Sequence, residues 1–165
     1  DSKCLDAQAG LESSFSILSQ GLAGLNLIHD VGYMAAGMAC SVEQLVMGNE
    51  IVGMAKRFIE GIEVNRETLA REVIEAVGPS GHFLQEKHTL KHFKKELWQA
   101  KLLNHKAIGP WESTGKQTME ERVKEEVRNI VDNHQPESFD DKMVDELERL
   151  KKEGEKEILA KFAKG

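Results

Sequence analysis

His29, Asp30 and Tyr33 fall within five residues of one another, in the run His29-Asp30-Val31-Gly32-Tyr33. A neighbouring imidazole and carboxylate suit acid–base work. Tyr33, the single tyrosine, offers a ring face that attracts an organic cation. The same residues also fit a plainer description, a satisfied loop histidine beside a half-buried tyrosine. A second group, Asp1, Lys3, Asp6 and Gln8, precedes an expected helix. Backbone N–H groups at a helix start, with a lysine beside them, can hold an anion. Equally, Asp6 is simply an N-cap in a surface loop. Glu43 lies in the first turn of a later helix, where it complements the helix dipole. It could also face a cationic substrate across the loop. His88 and His92 are four apart, a spacing that puts both rings on one helix face as metal ligands require. The Glu that follows the first His of a His-Glu-x-x-His motif is replaced by Thr89, so a polar helix face is the reading and no metal site is assigned.

These groups need elements to position them. Leu11, Phe15, Leu18 and Leu22 repeat at helical spacing and predict a helix over 6–22, broken at Gly21 and Gly24. Leu25 to Ile28 is a short apolar run that reads as a buried strand feeding a Gly- and Ala-rich loop over 29–40. In parallel α/β folds such loops build the site. Ser41 and Gln44 form a capping box that opens a helix to about Gly61. Helix, strand, loop and capped helix in that order are the repeat of an α/β protein. One strand cannot pair with itself, and the chain opens on Asp1 rather than Met. A piece of something longer is therefore expected.

Asn65 caps a predicted helix through Val77, and Thr89 one to about Trp98. Residues 104–115 read as irregular around Gly109-Pro110. Thr118 and Glu121 form a second capping box, with a helix to about Asn133. After Pro136, Met143, Leu147, Leu150, Ile158 and Phe162 mark an amphipathic helix over about 140–162.

The 165 residues carry a net charge of −6, which argues against nucleic acid or an anionic membrane as the main partner. Forty per cent of the chain is apolar, enough for a packed core. No apolar run reaches the ~18 residues of a membrane span, and no signal peptide is recognised. The two cysteines, Cys4 and Cys40, form no Cys-x-x-Cys pair; a reducing, cytoplasmic setting is expected. Charge is uneven. Residues 1–55 carry seven charged groups and residues 81–165 carry 34, so a buried first part is expected to give way to a solvated helical part near residue 80.

Five strings in order resemble the trimethylamine methyltransferase family. They are Asp-Ser-Lys-x-x-Asp-Ala-Gln-Ala-Gly-x-Glu at 1–12, Leu-Ala-Gly-Leu-Asn-Leu-Ile-His at 22–29, Glu-Gln-Leu-Val-Met-Gly-Asn-Glu at 43–50, Gly-His-Phe-Leu with His-Thr-Leu at 81–90, and Trp111-Glu112. The resemblance implies the C-terminal part of a TIM (β/α)8 barrel over 1–80 and a helical C-terminal extension over 81–165. It implies methyl transfer from a methylated amine to the cobalt of a corrinoid that a partner protein carries, with no cofactor bound by this chain itself. Cobalt(I) is an intense nucleophile, so such a site must align the N–CH₃ bond, exclude water and match the cation's charge. On the same basis His29, Asp30 and Tyr33 would lie at the catalytic mouth, with Asp1, Lys3, Asp6, Gln8 and Glu43 binding substrate. Lys3 would suit a substrate with its own carboxylate, such as glycine betaine. Trimethylamine members of the family use pyrrolysine and many relatives do without it; none occurs in these residues. A homo-oligomer is expected, because an unpaired apolar strand invites association. The alternative is a non-catalytic helical module that docks the corrinoid protein or another subunit.

Overall fold

A computed structural model describes residues 1–162. It divides into two compact units, Asp1–Val131 and a second that begins at Asp132. The first holds α1 (Ala7–Leu22), a hairpin of β1 (Tyr33–Met34) and β2 (Ala39–Cys40), α2 (Val42–Glu60), α3 (Arg66–Leu69), α4 (Arg71–Val77), α5 (Lys87–Glu96), α6 (Ile108–Ser113) and most of α7 (Met119–Asn133). The second unit is dominated by α8 (Asp141–Phe162).

The helix starts follow local chemistry. Asp6 caps α1, its carboxylate accepting from the Gln8 and Ala9 N–H groups at 2.9 and 3.2 Å. The Cys4 thiol, the Ala9 N–H and further donors hold the Asp6 carboxyl below its ordinary 3.8. A depressed folded value means that this cap contributes stability above pH 3.8, the ordinary value, and loses it as pH falls through the folded value. Asp6→Ala is therefore expected to lower the melting temperature at pH 7, with the difference from wild type shrinking as the buffer is taken well below 3.8. A pH-independent difference in thermal melts would show that the carboxylate charge is not what caps α1.

α1 and α2 pack together and carry most of the core, with Ala9 and Ile17 from one and Met47, Ile51 and Ala55 from the other. Leu102 and the fully buried Val123 complete it. Burying a valine side chain completely contributes about 1.5–3 kcal/mol. α2 also fastens the chain that follows α5. The buried Glu50 carboxylate accepts from the N–H groups of Lys101, Leu102 and Leu103 at 2.8, 2.7 and 3.3 Å. Arg122 of α7 donates to the Leu102 carbonyl at 2.7 Å from the other side. One α2 turn further, Trp98 lies against Gly53, and Arg57 donates to the Glu96 carbonyl and carboxylate at 3.1 and 2.8 Å.

Several expectations are corrected. Leu25–Ile28 is not in a strand: it leaves α1 without ladder hydrogen bonds, because a strand needs a neighbour and no described residue supplies one. The sheet among the described residues is only the two-residue antiparallel hairpin, with Tyr33 opposite Cys40 and Met34 opposite Ala39. The chain is thus mostly helical, and it does not itself display the parallel α/β architecture. The Ser41–Gln44 box is half made. Ser41 Oγ accepts from the Gln44 N–H at 3.1 Å, but the Gln44 side chain turns away to Ser13 at 2.6 Å. The helix expected over 65–77 is split by Ala70, whose left-handed φ of 47° ends α3 before α4 begins. α5 starts at Lys87, so Thr89 lies inside it rather than capping it. Gly109-Pro110 does not break structure but sits in the first turn of α6, where a proline's missing N–H costs nothing. The second capping box is complete, Thr118 N–H donating to Glu121 at 2.7 Å and Glu121 N–H to Thr118 Oγ at 3.3 Å. No helix among the described residues is long and apolar enough to cross a membrane.

Candidate functional site

The loop between α1 and α2 folds back over α1 and encloses an open cavity of about 290 Å³. One wall is a polar stripe of α1, formed by Glu12, Ser13, Ser16 and Gln20. These positions recur at helical spacing and so share a face. The other wall is the loop itself, with His29, Asp30, Tyr33 and Met34.

The loop is held in an unusual backbone. Asp30, Ala35 and Ala36 have left-handed φ values of 66°, 49° and 54°, and Gly32 has 94°. Left-handed alanines are costly unless the surroundings enforce them, and such outliers cluster at functional sites. Three fastenings enforce them here. The Ala35 N–H donates to the Ser2 carbonyl at 2.9 Å, and the Ser41 N–H to the Gly32 carbonyl at 3.0 Å. Val31 packs onto Gly48 of α2 so closely that a Cβ there would meet it at 2.5 Å. Tyr33 closes a turn by donating its N–H to the Asp30 carbonyl at 3.0 Å.

Within this frame His29 Nδ1 lies 2.7 Å from the Asp30 carboxylate. Tyr33 is 55% exposed and lines the cavity, its ring free to meet a ligand. Glu12 stands on the α1 wall. It accepts from the Gln8 side chain at 2.8 Å and from the Ser2 N–H at 2.9 Å. The cavity presents two carboxylates and an aromatic ring, a combination suited to an organic cation.

The structure brings together His29, Asp30, Tyr33 and Asp1, with Gln8 reaching the cavity indirectly through Glu12. It does not bring Lys3, Asp6 or Glu43 into that wall. Lys3 is exposed. Asp6 is spent as the α1 cap, and Glu43 accepts from the Ser41 hydroxyl at 2.8 Å, which lowers its pKa. Glu12 and Ser13 were legible only as members of a helix, because nothing local shows which face the loop will cover. His88 and His92 stack at 4.4 Å and both meet Glu67, tying α5 to α3. Among the described residues no three His, Cys, Asp or Glu groups are placed to hold a metal ion. A larger groove of about 480 Å³, lined by Leu5, Met47, Ile51, Met54, Leu103 and Met119, is apolar. Its carboxylates, Asp6, Glu50 and Glu120, are already engaged as cap, clamp and partner of Lys124, so none is left to orient a ligand.

Known proteins agree with the strings read above. The profile of the family described as trimethylamine methyltransferase (MTTB) matches residues 1–157. The chain is 34% identical over 159 residues to a glycine betaine methyltransferase of Desulfitobacterium hafniense (strain Y51), covering 96% of this chain and 33% of the relative. It is 36% identical over 157 residues to a trimethylamine methyltransferase MttB of another strain of that species, covering 95% of this chain and 32% of the relative. A trimethylamine methyltransferase MttB2 of Methanosarcina mazei is 35% identical over 161 residues, covering 93% and 32%. The chain spans about a third of the length of these relatives. With its profile matched almost from end to end, the chain belongs to the trimethylamine methyltransferase family.

Proposed function

We propose that this chain is the C-terminal portion of a methyltransferase that moves a methyl group from a methylated amine, trimethylamine or a quaternary amine such as glycine betaine, to the cobalt of a corrinoid carried by a partner protein. The observation that carries the proposal is the cavity in which Tyr33, Asp30 and Glu12 meet on a fastened, left-handed loop. The family membership and the relatives' names support the reaction class. In the longer protein Leu25–Ile28 would become a barrel strand. The exposed Leu25 and Leu27 support that role. A cytoplasmic setting fits the two free cysteines.

The transfer breaks one N–CH₃ bond. The bonding pair stays on nitrogen and the methyl group passes to the acceptor, so a quaternary ammonium leaves as a neutral tertiary amine, and trimethylamine, reacting as its ammonium form, leaves as neutral dimethylamine. With a quaternary ammonium no proton moves, so the chain's residues hold and orient rather than titrate. The Tyr33 ring face and the Asp30 carboxylate would hold the cation, and His29 at 2.7 Å would fix the direction of that carboxylate. The corrinoid enters as a substrate presented by its carrier, and its cobalt supplies the nucleophile.

The test is a methylation assay on the full-length protein with a cobalt(I) corrinoid protein and a panel of methylated amines. Absorbance change of the corrinoid with at least one amine is expected, and none from residues 1–165 alone. Silence of the full-length protein across the panel would contradict the proposal.

A further inference from the structure

A second cavity, of about 460 Å³, opens between the segment after α5 and the start of α7. Lys101, His105, Lys106, Trp111, Thr114 and Arg122 are in its wall, and no carboxylate is. From Lys87 to Trp111 the sequence holds six lysines against one acid, Glu96, in a chain whose net charge is −6. Several cationic side chains outside the cavity are paired: Lys91 with Glu67, Lys95 with Glu63, Lys116 with Glu112 and Lys124 with Glu120. Those of the cavity are not. The Lys106 ammonium meets only the Thr114 hydroxyl, at 3.3 Å. The Arg122 guanidinium is spent on the Leu102 and Gln117 carbonyls and the Met119 sulfur, so its charge is not neutralised by a carboxylate. No ion pair or side-chain hydrogen bond of Lys101 or His105 is found among the described residues.

The frame around these cations is built rather than loose. Glu50 holds the backbone at 101–103 from below. The Lys106 N–H donates to Asn104 at 2.8 Å. The Trp111 indole N–H and Arg122 both donate to the Gln117 carbonyl, at 3.0 and 2.5 Å, which fixes the ring and the guanidinium against one another. Like charges gathered without a counter-charge repel, and an anion relieves that repulsion.

We propose that this cavity binds a phosphate group, gripped by Lys101 and Lys106, with the Arg122 guanidinium, fixed on protein carbonyls, adding its charge. Lysine ammonium and arginine guanidinium groups are the usual phosphate donors. The volume admits either inorganic phosphate or a phosphate ester whose organic part rests near Trp111. The site lies in the helical part of the chain and stands apart from the cavity over α1, so it does not depend on the methyl-transfer reading.

Calorimetric titration of the intact protein at low salt, with inorganic phosphate in one arm and adenosine monophosphate in the other, tests it. Saturable binding of at least one is expected, weakened about tenfold or more in Lys101→Gln/Lys106→Gln, since charge-assisted hydrogen bonds are the strong ones. Tighter binding of the nucleotide assigns a phosphate ester, and equal binding assigns the free ion. Lys91→Gln, outside the cavity, should bind as wild type. Absence of saturable binding in both arms, or a double variant that binds like wild type, overturns the site.

Discussion

Replacing Tyr33 by alanine in the full-length protein is expected to lower kcat/KM for the proposed methyl transfer about 30-fold, while phenylalanine at the same position should retain most of it. A desolvated cation over an aromatic face gains about 2 kcal/mol, and that gain belongs to the ring, not the hydroxyl. Asp30→Ala costs more, about 100-fold, because a fixed charge aimed at the reacting cation is one of the strongest stabilising effects an active site can exert. Both side chains are solvent-facing in a loop whose fastenings run through Ser2, Gly32, Ser41 and Val31 rather than through them. The Tyr33 variants should therefore keep wild-type circular dichroism and melting; Asp30→Ala puts an alanine at a left-handed φ of 66°, so Asp30→Asn, which tolerates that backbone, should show the loss of rate with wild-type melting. Steady-state kinetics with the corrinoid acceptor separates the outcomes. A Tyr33→Phe variant as impaired as Tyr33→Ala would assign the work to the hydroxyl and remove the ring from cation binding.

The second large effect is on stability. Glu50→Ala is expected to cost about 3 kcal/mol, since it strands three backbone N–H groups that are buried or partly so, each worth about 1 kcal/mol or more when unpaired. The loss should propagate. Leu102, held from one side by Glu50 and from the other by Arg122, helps cover Val123, so α7 loosens when the segment at 101–103 is released. Denaturant unfolding measures the cost, and amide hydrogen exchange at 101–103 locates it. Glu50→Gln, which keeps one acceptor oxygen, should lose less. Unchanged exchange at those three amides in Glu50→Ala would mean that the carboxylate is not what holds the segment.

What could be read ahead of the structure was local. Asp6 caps α1, Ser41 caps α2, Asp140 accepts from the Met143 N–H at 2.8 Å at the start of α8, and Thr118 with Glu121 opens α7. Each signal lies within three residues of its effect. The loop bearing His29, Asp30 and Tyr33 was legible for the same reason, as a small-residue stretch between two capped helices. The remainder was set by partners far along the chain. Nothing near Glu50 announces that it will bind residues 101–103, and Gln44 turns to Ser13, 31 positions earlier, instead of completing its own box. Glu12 and Ser13 became parts of a wall only when the loop closed over them. Leu25–Ile28 failed as a strand because ladder bonds require an adjacent strand, which a pattern of four apolar residues cannot provide. Ala70 defeated the helix at 65–77 through a left-handed φ that alanine's helix propensity argues against.

A crystal structure of the full-length protein grown with tetramethylammonium would test the central claim most directly, because the ion carries the charge and shape of the reacting group and nothing else. Density for it is predicted between the Tyr33 ring and the Asp30 carboxylate, over the α1 face that bears Glu12 and Ser13. Density for the ion at a different cavity, with the space beside Tyr33 filled by water alone, would contradict that claim.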